Sequence, residues 1–108
     1  MKIGGEERLI KIGLNQSILY CDLRKISITE MNADLAKLSN GTGAELRDLI
    51  WSALKDGARV SGTEFKYTEY DVGDWIEELD PSELGEFMKA LINSMPKSKG
   101  KSKSKKKA

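Results

Sequence analysis

Four helix-start signals constrain this chain more than any other feature of its sequence. In a capping box, a Ser, Thr or Asp side chain accepts a hydrogen bond from the first helical turn, and a carboxylate three residues later accepts from the capping residue's own amide. The matching stretches are Ser27-x-x-Glu30, Thr42-x-x-Glu45, Thr68-x-x-Asp71 and Asp80-Pro81-Ser82-Glu83. Proline fits the first helical position in the last stretch, because its missing amide costs nothing there. The signals predict four helices separated by short links.

Apolar residues recur at helical spacing after each of these starts, and also before the first of them. The five predicted helices span about residues 14–25, 27–40, 42–57, 68–79 and 80–96. In this prediction, Gly57 ends the third helix and Pro96 closes the fifth. The first helix carries two adjacent apolar stripes, one formed by Leu14, Ile18 and Cys21 and the other by Leu19, Leu23 and Ile26. The side chains of the later helices expected to form the core are Ile28, Met31, Leu35, Leu38, Leu46, Leu49, Ile50, Ala53, Leu54, Val72, Trp75, Ile76, Leu79, Leu84, Phe87, Met88, Leu91 and Ile92.

Two shorter stretches indicate extended structure. Residues 9–12 form an apolar run between glycines, which predicts a short strand or clamp. Residues 57–67 suit a loop that ends in a brief extended segment, with alternating Phe65 and Tyr67, and this segment could pair with the first run. We therefore predict an all-α fold, a compact cluster of about five short helices, with a small strand or hairpin at the N-terminus.

The end of the chain differs sharply from the rest in composition. Seven lysines follow Pro96, separated by serine and glycine, so this segment has no core-forming side chains and repels itself. We predict a disordered Lys/Ser-rich tail over residues 97–108 and a single helical domain over residues 1–96. Without those seven lysines, the chain's 18 basic residues fall to 11 against 17 acidic residues, so the domain carries a net charge of −6.

The sequence also limits where the protein works. No apolar run approaches the roughly 20 residues that span a bilayer, and the N-terminal residues lack the pattern of a secretory signal. We therefore expect a cytoplasmic protein with no membrane partner. Cys21 is the single cysteine, so an intramolecular disulfide is excluded and a place in the core is expected.

We find no residues suited to catalysis or to cofactor binding. Histidine is absent, which removes the commonest general base and metal ligand and so argues against triad hydrolases and most zinc enzymes. The glycine pairs match no phosphate-binding or dinucleotide-binding loop. Eight acidic residues between Glu69 and Glu86 could bind a divalent ion or a basic partner. They lack the spacing of a calcium loop and several serve as helix caps, so we favour a solvated face. We expect no enzymatic activity, no metal and no cofactor.

Trp51 is the strongest candidate for contact with a partner. It lies beside the main apolar stripe of the third helix, with Arg47 and Lys55 one turn away on either side. Tryptophan and arginine are enriched at interface hot spots. The alternative is that Trp51 packs against the first helix or against the loop near Val60. The predicted partner-binding residues are Trp51, Arg47, Lys55, Tyr20 and Tyr70.

Three stretches of the sequence carry a family resemblance. They are Leu14-Asn15-x-x-Ile18-Leu19-Tyr20-Cys21, Leu46-Arg47-Asp48-Leu49-Ile50-Trp51-Ser52-Ala53-Leu54, and Phe65-x-x-Thr68-x-x-Asp71-Val72-Gly73-Asp74-Trp75. Over about residues 9–95 the chain resembles the tail assembly chaperones of long-tailed bacteriophages and prophages. This resemblance implies a non-enzymatic protein of the bacterial cytoplasm, absent from the mature virion. Its implied partner is the tape measure protein, kept soluble while tail tube subunits, a further implied partner, polymerise around it.

The lysine tail supports an alternative function. Seven cations could neutralise several phosphates and give salt-dependent, sequence-independent binding to nucleic acid. However, the acidic domain would repel the same polyanion, and no aromatic residue lies among the lysines to stack on bases. We therefore rank a small helical nucleic-acid-associated protein, with a lysine-rich C-terminal arm, below the chaperone. The sequence leaves the oligomeric state open.

Overall fold

The predicted all-α fold, with a small hairpin at its N-terminus, is confirmed. The computed structural model describes residues 1–94, so the predicted tail and the helix end at Pro96 lie outside the described residues. The elements in chain order are β1 (Lys2–Ile3), β2 (Glu6–Glu7), α1 (Leu14–Arg24), α2 (Met31–Leu35), α3 (Ala44–Ser61), α4 (Glu69–Glu77) and α5 (Pro81–Ser94). Short 3-10 turns at Ile28–Glu30 and Ala36–Ser39 flank α2. None of the helices in this part of the chain combines the length and apolar character needed to cross a bilayer.

The longest helix, α3, is the centre of the fold. It packs against both α1 and α4, and its apolar side chains form the middle of the core. Phe87 and Leu91 bring α5 into the same core. The buried core residues are Ile3, Tyr20, Cys21, Leu35, Leu49, Ile50, Ala53, Leu54, Val72, Phe87 and Leu91. The predicted core positions on α3 are therefore largely confirmed, as is the burial of Cys21, whereas Ile92 of α5 is exposed.

The starts of α4 and α5 are stabilised by hydrogen bonds between residues two or three positions apart in sequence. Before α4, the hydroxyl of Thr68 accepts from the amide of Asp71 at 3.2 Å, and the Asp71 carboxylate accepts from the Thr68 amide at 2.9 Å. Before α5, Asp80 accepts from the amide of Ser82 at 3.1 Å. Because these bonds satisfy amides that have no partner within the helix, both ends are fixed by residues adjacent in sequence.

The predicted capping box at the start of α3 is wrong. Gly43 is the residue before the helix, and the Thr42 hydroxyl accepts only from the amide of Ala44, at 3.3 Å. The Glu45 carboxylate instead points into the protein, where it lies 3.5 Å from the guanidinium of Arg24. A partly buried guanidinium is stabilised by nearby negative charge, and this long-range contact replaces the local one.

The predicted second helix forms as three short turns rather than one regular helix. The predicted capping box of Ser27 and Glu30 is present, and the Ser27 amide donates to the Glu30 carboxylate at 2.8 Å. Beyond it, Asp34 and Leu35 are the only buried residues of residues 28–39. Most helical stability in proteins comes from packing of one face, and here little of that packing exists.

Residues 9–12, predicted as a strand or clamp, have no regular secondary structure. They lie across α3, where the amide of Lys11 donates to the carbonyl oxygen of Ala53 at 3.1 Å. The predicted pairing with residues 57–67 is wrong, because the only strands among residues 1–94 are β1 and β2. Pairing requires an exposed strand edge, and the neighbour of this stretch is a helix.

The hairpin packs against the last two helices through Trp75. In its turn, Gly4 adopts a φ of 65°, and a side chain there would lie 2.7 Å from the Trp75 ring. Arg8 stacks on the same ring, with its guanidinium carbon 4.6 Å from the ring centre. The Lys2 amide donates to the Glu83 carboxylate of α5 at 3.0 Å. Trp75, predicted in the core, is therefore a partly buried platform for the hairpin.

Gly57 does not end α3, which continues to Ser61 and closes at Gly62. The carbonyl oxygen of Leu9 passes directly over Gly57, in the space that a side chain would occupy. The glycine therefore permits a close crossing of backbones rather than a helix end.

We expect Gly57→Ala to lower the free energy of unfolding by about 1–3 kcal/mol, because the added methyl group would overlap the Leu9 carbonyl. The matched control is Gly85→Ala, in α5, where no atom lies within 4 Å of an added side chain. That control should raise the free energy of unfolding by about 0.5–1 kcal/mol, the usual gain when a helical glycine becomes alanine. Urea unfolding followed by tryptophan fluorescence measures both, and equal effects of the two substitutions would contradict the crossing.

Candidate partner-binding groove

α1 meets α3 through polar side chains. The Gln16 side-chain amide donates to the Ser52 hydroxyl at 2.8 Å, and one nitrogen of Arg24 donates to the Asp48 carboxylate at 2.9 Å. The residues on α1 are spaced four apart, so they form one face of the helix. We call this contact the polar seam, and its members are Gln16, Tyr20 and Arg24 of α1 with Glu45, Asp48 and Ser52 of α3.

Because α1 turns its polar face inward, it turns apolar side chains outward. Leu14 is 69% exposed and Ile18 is 41% exposed, although both lie on a predicted apolar stripe of the first helix. The contacts of the seam account for this, because they fix which face of α1 is buried. Ile28, in the turn after α1, was predicted in the core, and this prediction is wrong because the residue is 49% exposed.

The exposed side chains of α1 and of the following turn border an apolar groove of about 400 Å³. Leu14 and Ile28 lie at its edges, and Leu35, Leu49 and Leu91 line it from α2, α3 and α5. Its polar lining consists of neutral groups, contributed by Gln16, Ser17, Asn32 and Ser94. Among residues 1–94, no charged side chain lines the groove. A charged ligand group would lose its hydration there without gaining a counter-charge, so the groove suits an apolar ligand surface.

Residues 28–39, which we call the wall segment, form one side of the groove and are attached to α1 by Asp34. The Asp34 carboxylate accepts from the Tyr20 hydroxyl and from Nε of Arg24, both at 2.6 Å. Arg24 also contacts Asp48 at 2.9 Å and Glu45 at 3.5 Å. One guanidinium therefore joins the wall segment, α1 and α3.

These contacts change the proton affinities of the buried groups. Burial and the hydrogen bond to Asp34 raise the pKa of Tyr20 well above its usual value of 10.0. Burial alone would raise the pKa of Asp34, but hydrogen bonds from Tyr20 and Arg24 outweigh it and lower that pKa. At neutral pH the phenol is therefore protonated and the carboxylate is charged, which is the pair of states that this hydrogen bond requires.

Four of the five residues predicted to bind a partner lie together on a second surface, which we call the aromatic patch. The Lys55 ammonium lies 5.6 Å from the centre of the Trp51 ring, and the Arg47 guanidinium lies 5.3 Å from that of Tyr70. The indole nitrogen of Trp51 donates to the carbonyl oxygen of Tyr67 at 2.9 Å. Trp51 thus contacts the stretch that leads into α4 and packs partly buried against the core.

Tyr20 does not belong to the aromatic patch, and its prediction as a surface residue is wrong. Its side chain is 0% exposed and its hydroxyl is bound to Asp34. It therefore positions the wall segment from inside the protein and has no surface to offer a partner.

Sequence reasoning missed the groove, although one signal in the sequence indicated it. The first helix carries two adjacent apolar stripes, and together they are broader than one packing face of a small domain can bury. One of the stripes therefore had to remain accessible. The pattern alone did not identify which one, because the choice depends on polar partners far away in sequence.

The acidic residues of α4 and α5 are either exposed to solvent or located at the starts of helices. Asp71 and Asp80 cap helices, and Glu83 accepts from the Lys2 amide. Across the described residues, no three side chains of the metal-binding types are placed to hold an ion. The groove and the aromatic patch are thus the two surfaces whose composition suits recognition of a macromolecule.

We expect the stabilising contribution of Tyr20 to be lost in alkaline solution. Its folded-state pKa is raised, so the contribution is complete below the unfolded-state pKa of 10.0 and falls as the pH rises from there toward the folded-state pKa. The free energy of unfolding of the wild type should decline relative to that of Tyr20→Phe by up to about 1.4 kcal/mol per pH unit. Urea unfolding of both proteins between pH 7 and about 11 measures the difference. Parallel curves would contradict a buried, protonated Tyr20.

Comparison of the chain with protein-family models, with curated proteins and with solved structures gives no match. The resemblance to tail assembly chaperones therefore stays a prediction from sequence. The functional argument depends on the groove, the aromatic patch and the contacts that position them.

Proposed function

We propose that the protein is a non-enzymatic phage tail assembly chaperone that binds helical segments of the tape measure protein in its apolar groove. The observation that carries this proposal is the uncharged groove bordered by the exposed side chains of Leu14 and Ile28. Exposed apolar surface of this kind, rimmed by polar groups, marks interaction sites on proteins. A chain that must hold another chain in solution needs such a surface.

An amphipathic helix is the occupant that fits the groove best. Helix-in-groove recognition places apolar side chains spaced three and four residues apart against an apolar channel, with the polar face left in water. The groove provides apolar walls and neutral polar edges but no hydrogen-bonding strand edge, so it does not suit an added β-strand. A tape measure protein, as a long and largely helical chain, offers many segments of this type.

The aromatic patch is a weaker candidate for the same contact. Its two cations already stack on its aromatic rings, and the Trp51 indole already donates to Tyr67. Tyr70 is nevertheless 68% exposed and could extend a bound surface beyond the groove. The experiments below therefore include it as a separate variant.

The first experiment tests the partner. The protein is co-expressed with the tape measure protein encoded in the same gene neighbourhood, and the two are purified through a tag on only one of them. The chaperone proposal requires that they co-purify and that the tape measure protein is less soluble when expressed alone. A tape measure protein that is equally soluble without this chain would refute the proposal.

The second experiment tests the surface. We expect Leu14→Gln and Ile28→Gln each to weaken tape measure binding by about tenfold, because each removes an apolar contact worth about 1.4 kcal/mol. Both side chains are well exposed, so the free energy of unfolding should change by less than about 0.5 kcal/mol. Isothermal titration calorimetry with the purified partner segment measures the affinity.

The matched control is Val60→Gln, at an equally exposed apolar position of α3 that does not line the groove. It should bind like the wild type. If Tyr70→Ala abolishes binding while the groove variants bind normally, the contact surface is the aromatic patch and not the groove.

A nucleic-acid-binding arm remains the alternative, favoured by the seven lysines after Pro96. It requires DNA binding that weakens steeply with salt and disappears when residues 97–108 are removed. The chaperone proposal requires instead that the truncated chain keeps most of its tape measure binding. Measuring both affinities on the full-length and truncated proteins separates the two functions.

A further inference from the structure

Residues 28–39 are attached to the rest of the protein by few buried side chains. Asp34 and Leu35 are buried and Met31 and Leu38 pack partly buried against the core, whereas α3 has ten buried residues. Regions with few buried contacts open at lower free energy than the protein as a whole unfolds. The wall segment is therefore a part of the groove that can open locally.

The two ends of the wall segment lie at the ends of helices, where hinge motions are usually absorbed. Before it, Lys25 adopts a left-handed conformation with a φ of 61°, which is unusual for a residue other than glycine. After it come Gly41 and Gly43, and Gly43 has a φ of 94°. Hinge motions are absorbed by a few such residues at the ends of elements. A rotation about these two points would carry the whole wall segment.

We infer that the wall segment is a hinged wall, that Asp34 holds it closed, and that its opening widens the groove to admit a partner helix. The wall segment contributes Ile28, Met31, Asn32 and Leu35 to the groove. The opposite side comes from α1, α3 and α5. Opening therefore changes the width of the groove without rearranging the polar seam. The inference rests on the proposed function only in taking the groove as the binding surface.

The charges around Asp34 leave Arg24 paired when the wall segment opens. Asp34 faces Tyr20 and Arg24 of α1 and Lys37 of its own segment, and Arg24 is shared with Glu45 and Asp48 of α3. When Asp34 leaves, Arg24 therefore keeps two carboxylates. One oxygen of Glu45 also lacks a hydrogen-bond partner among the described residues, so it is available to the guanidinium. Opening breaks the hydrogen bond of Tyr20 to Asp34, whereas the contacts of Arg24 with Glu45 and Asp48 are retained.

Hydrogen–deuterium exchange on the free protein tests the inference. In Asp34→Asn, the amides of residues 28–39 should exchange about tenfold to a hundredfold faster, the range expected for a lost hydrogen bond to a charged group. The protected amides of α3 and α5 should be unaffected. The apolar dye anilinonaphthalene sulfonate should also bind more strongly to this variant, because the groove is open more often.

The matched control is Asp48→Asn, which removes a carboxylate from the same Arg24 without touching the wall segment. It should accelerate exchange in α1 and α3 as well as in residues 28–39. The inference would be overturned if Asp34→Asn accelerated amide exchange equally in all protected segments. It would also be overturned if the exchange of residues 28–39 did not change.

A measurement on the wild type tests for local opening of residues 28–39 even if Asp34→Asn does not fold. Exchange is followed at rising, subdenaturing urea concentrations, where local openings depend little on urea and global unfolding depends strongly on it. We expect residues 28–39 to exchange by a local opening. Exchange of these amides only through global unfolding would refute a hinged wall. Neither exchange result depends on a partner, so a failure of tape measure binding is distinguishable from a failure of the hinge.

Discussion

The partly buried guanidinium of Arg24 fixes the arrangement of the helices through its buried carboxylate partners, and the rest of the structure depends on it. A charge removed from water must be paired and hydrogen-bonded, so α1 can meet α3 only where Arg24 reaches Asp48 and Glu45. That requirement sets both the position of α1 along α3 and its rotation about its own axis. The same rotation directs Leu14 and Ile18 to the surface. The polar seam and the apolar groove are thus two consequences of a single contact.

The sequence predicts the fold well wherever the determining interaction is local. The starts of α4 and α5 depend on Thr68 and Asp80, whose partners lie within three residues, and both caps form. The Glu83 carboxylate, predicted to complete the second box, accepts from the Lys2 amide instead. The start of α3 was predicted wrongly because Glu45 has two possible partners, the amide of a nearby residue and a guanidinium more than 20 residues away. Gly57 shows the same limitation, since its role comes from the Leu9 backbone that crosses it. Local rules do not reveal such distant competitors.

The candidate site was less predictable than the fold for a related reason. Apolar periodicity identifies faces of a helix, but it assumes that the apolar face is the buried one. On α1 the buried face is instead marked by Gln16, Tyr20 and Arg24, three polar residues spaced four apart, whose partners lie on another helix. The aromatic patch was easier to find because its cations and rings are one helical turn apart or lie on adjacent helices. Trp51 was correctly identified as lying outside the core stripe, although its contact with Tyr67 could not be read from spacing.

A network of ion pairs between two helices contributes little net stability, because removing its charges from water costs free energy. Replacing such a network by well-packed apolar residues is often neutral or stabilising, whereas removing one member costs about 3–5 kcal/mol. Stability alone therefore does not explain why α1 and α3 meet through charges. An apolar contact between them would leave α1 free to rotate, bury Leu14 and close the groove. The polar seam prevents this because any rotation would strand Arg24 without its carboxylates. We interpret the seam as the feature that keeps an apolar surface accessible on a folded protein, which is what a protein that binds helical segments of another chain requires.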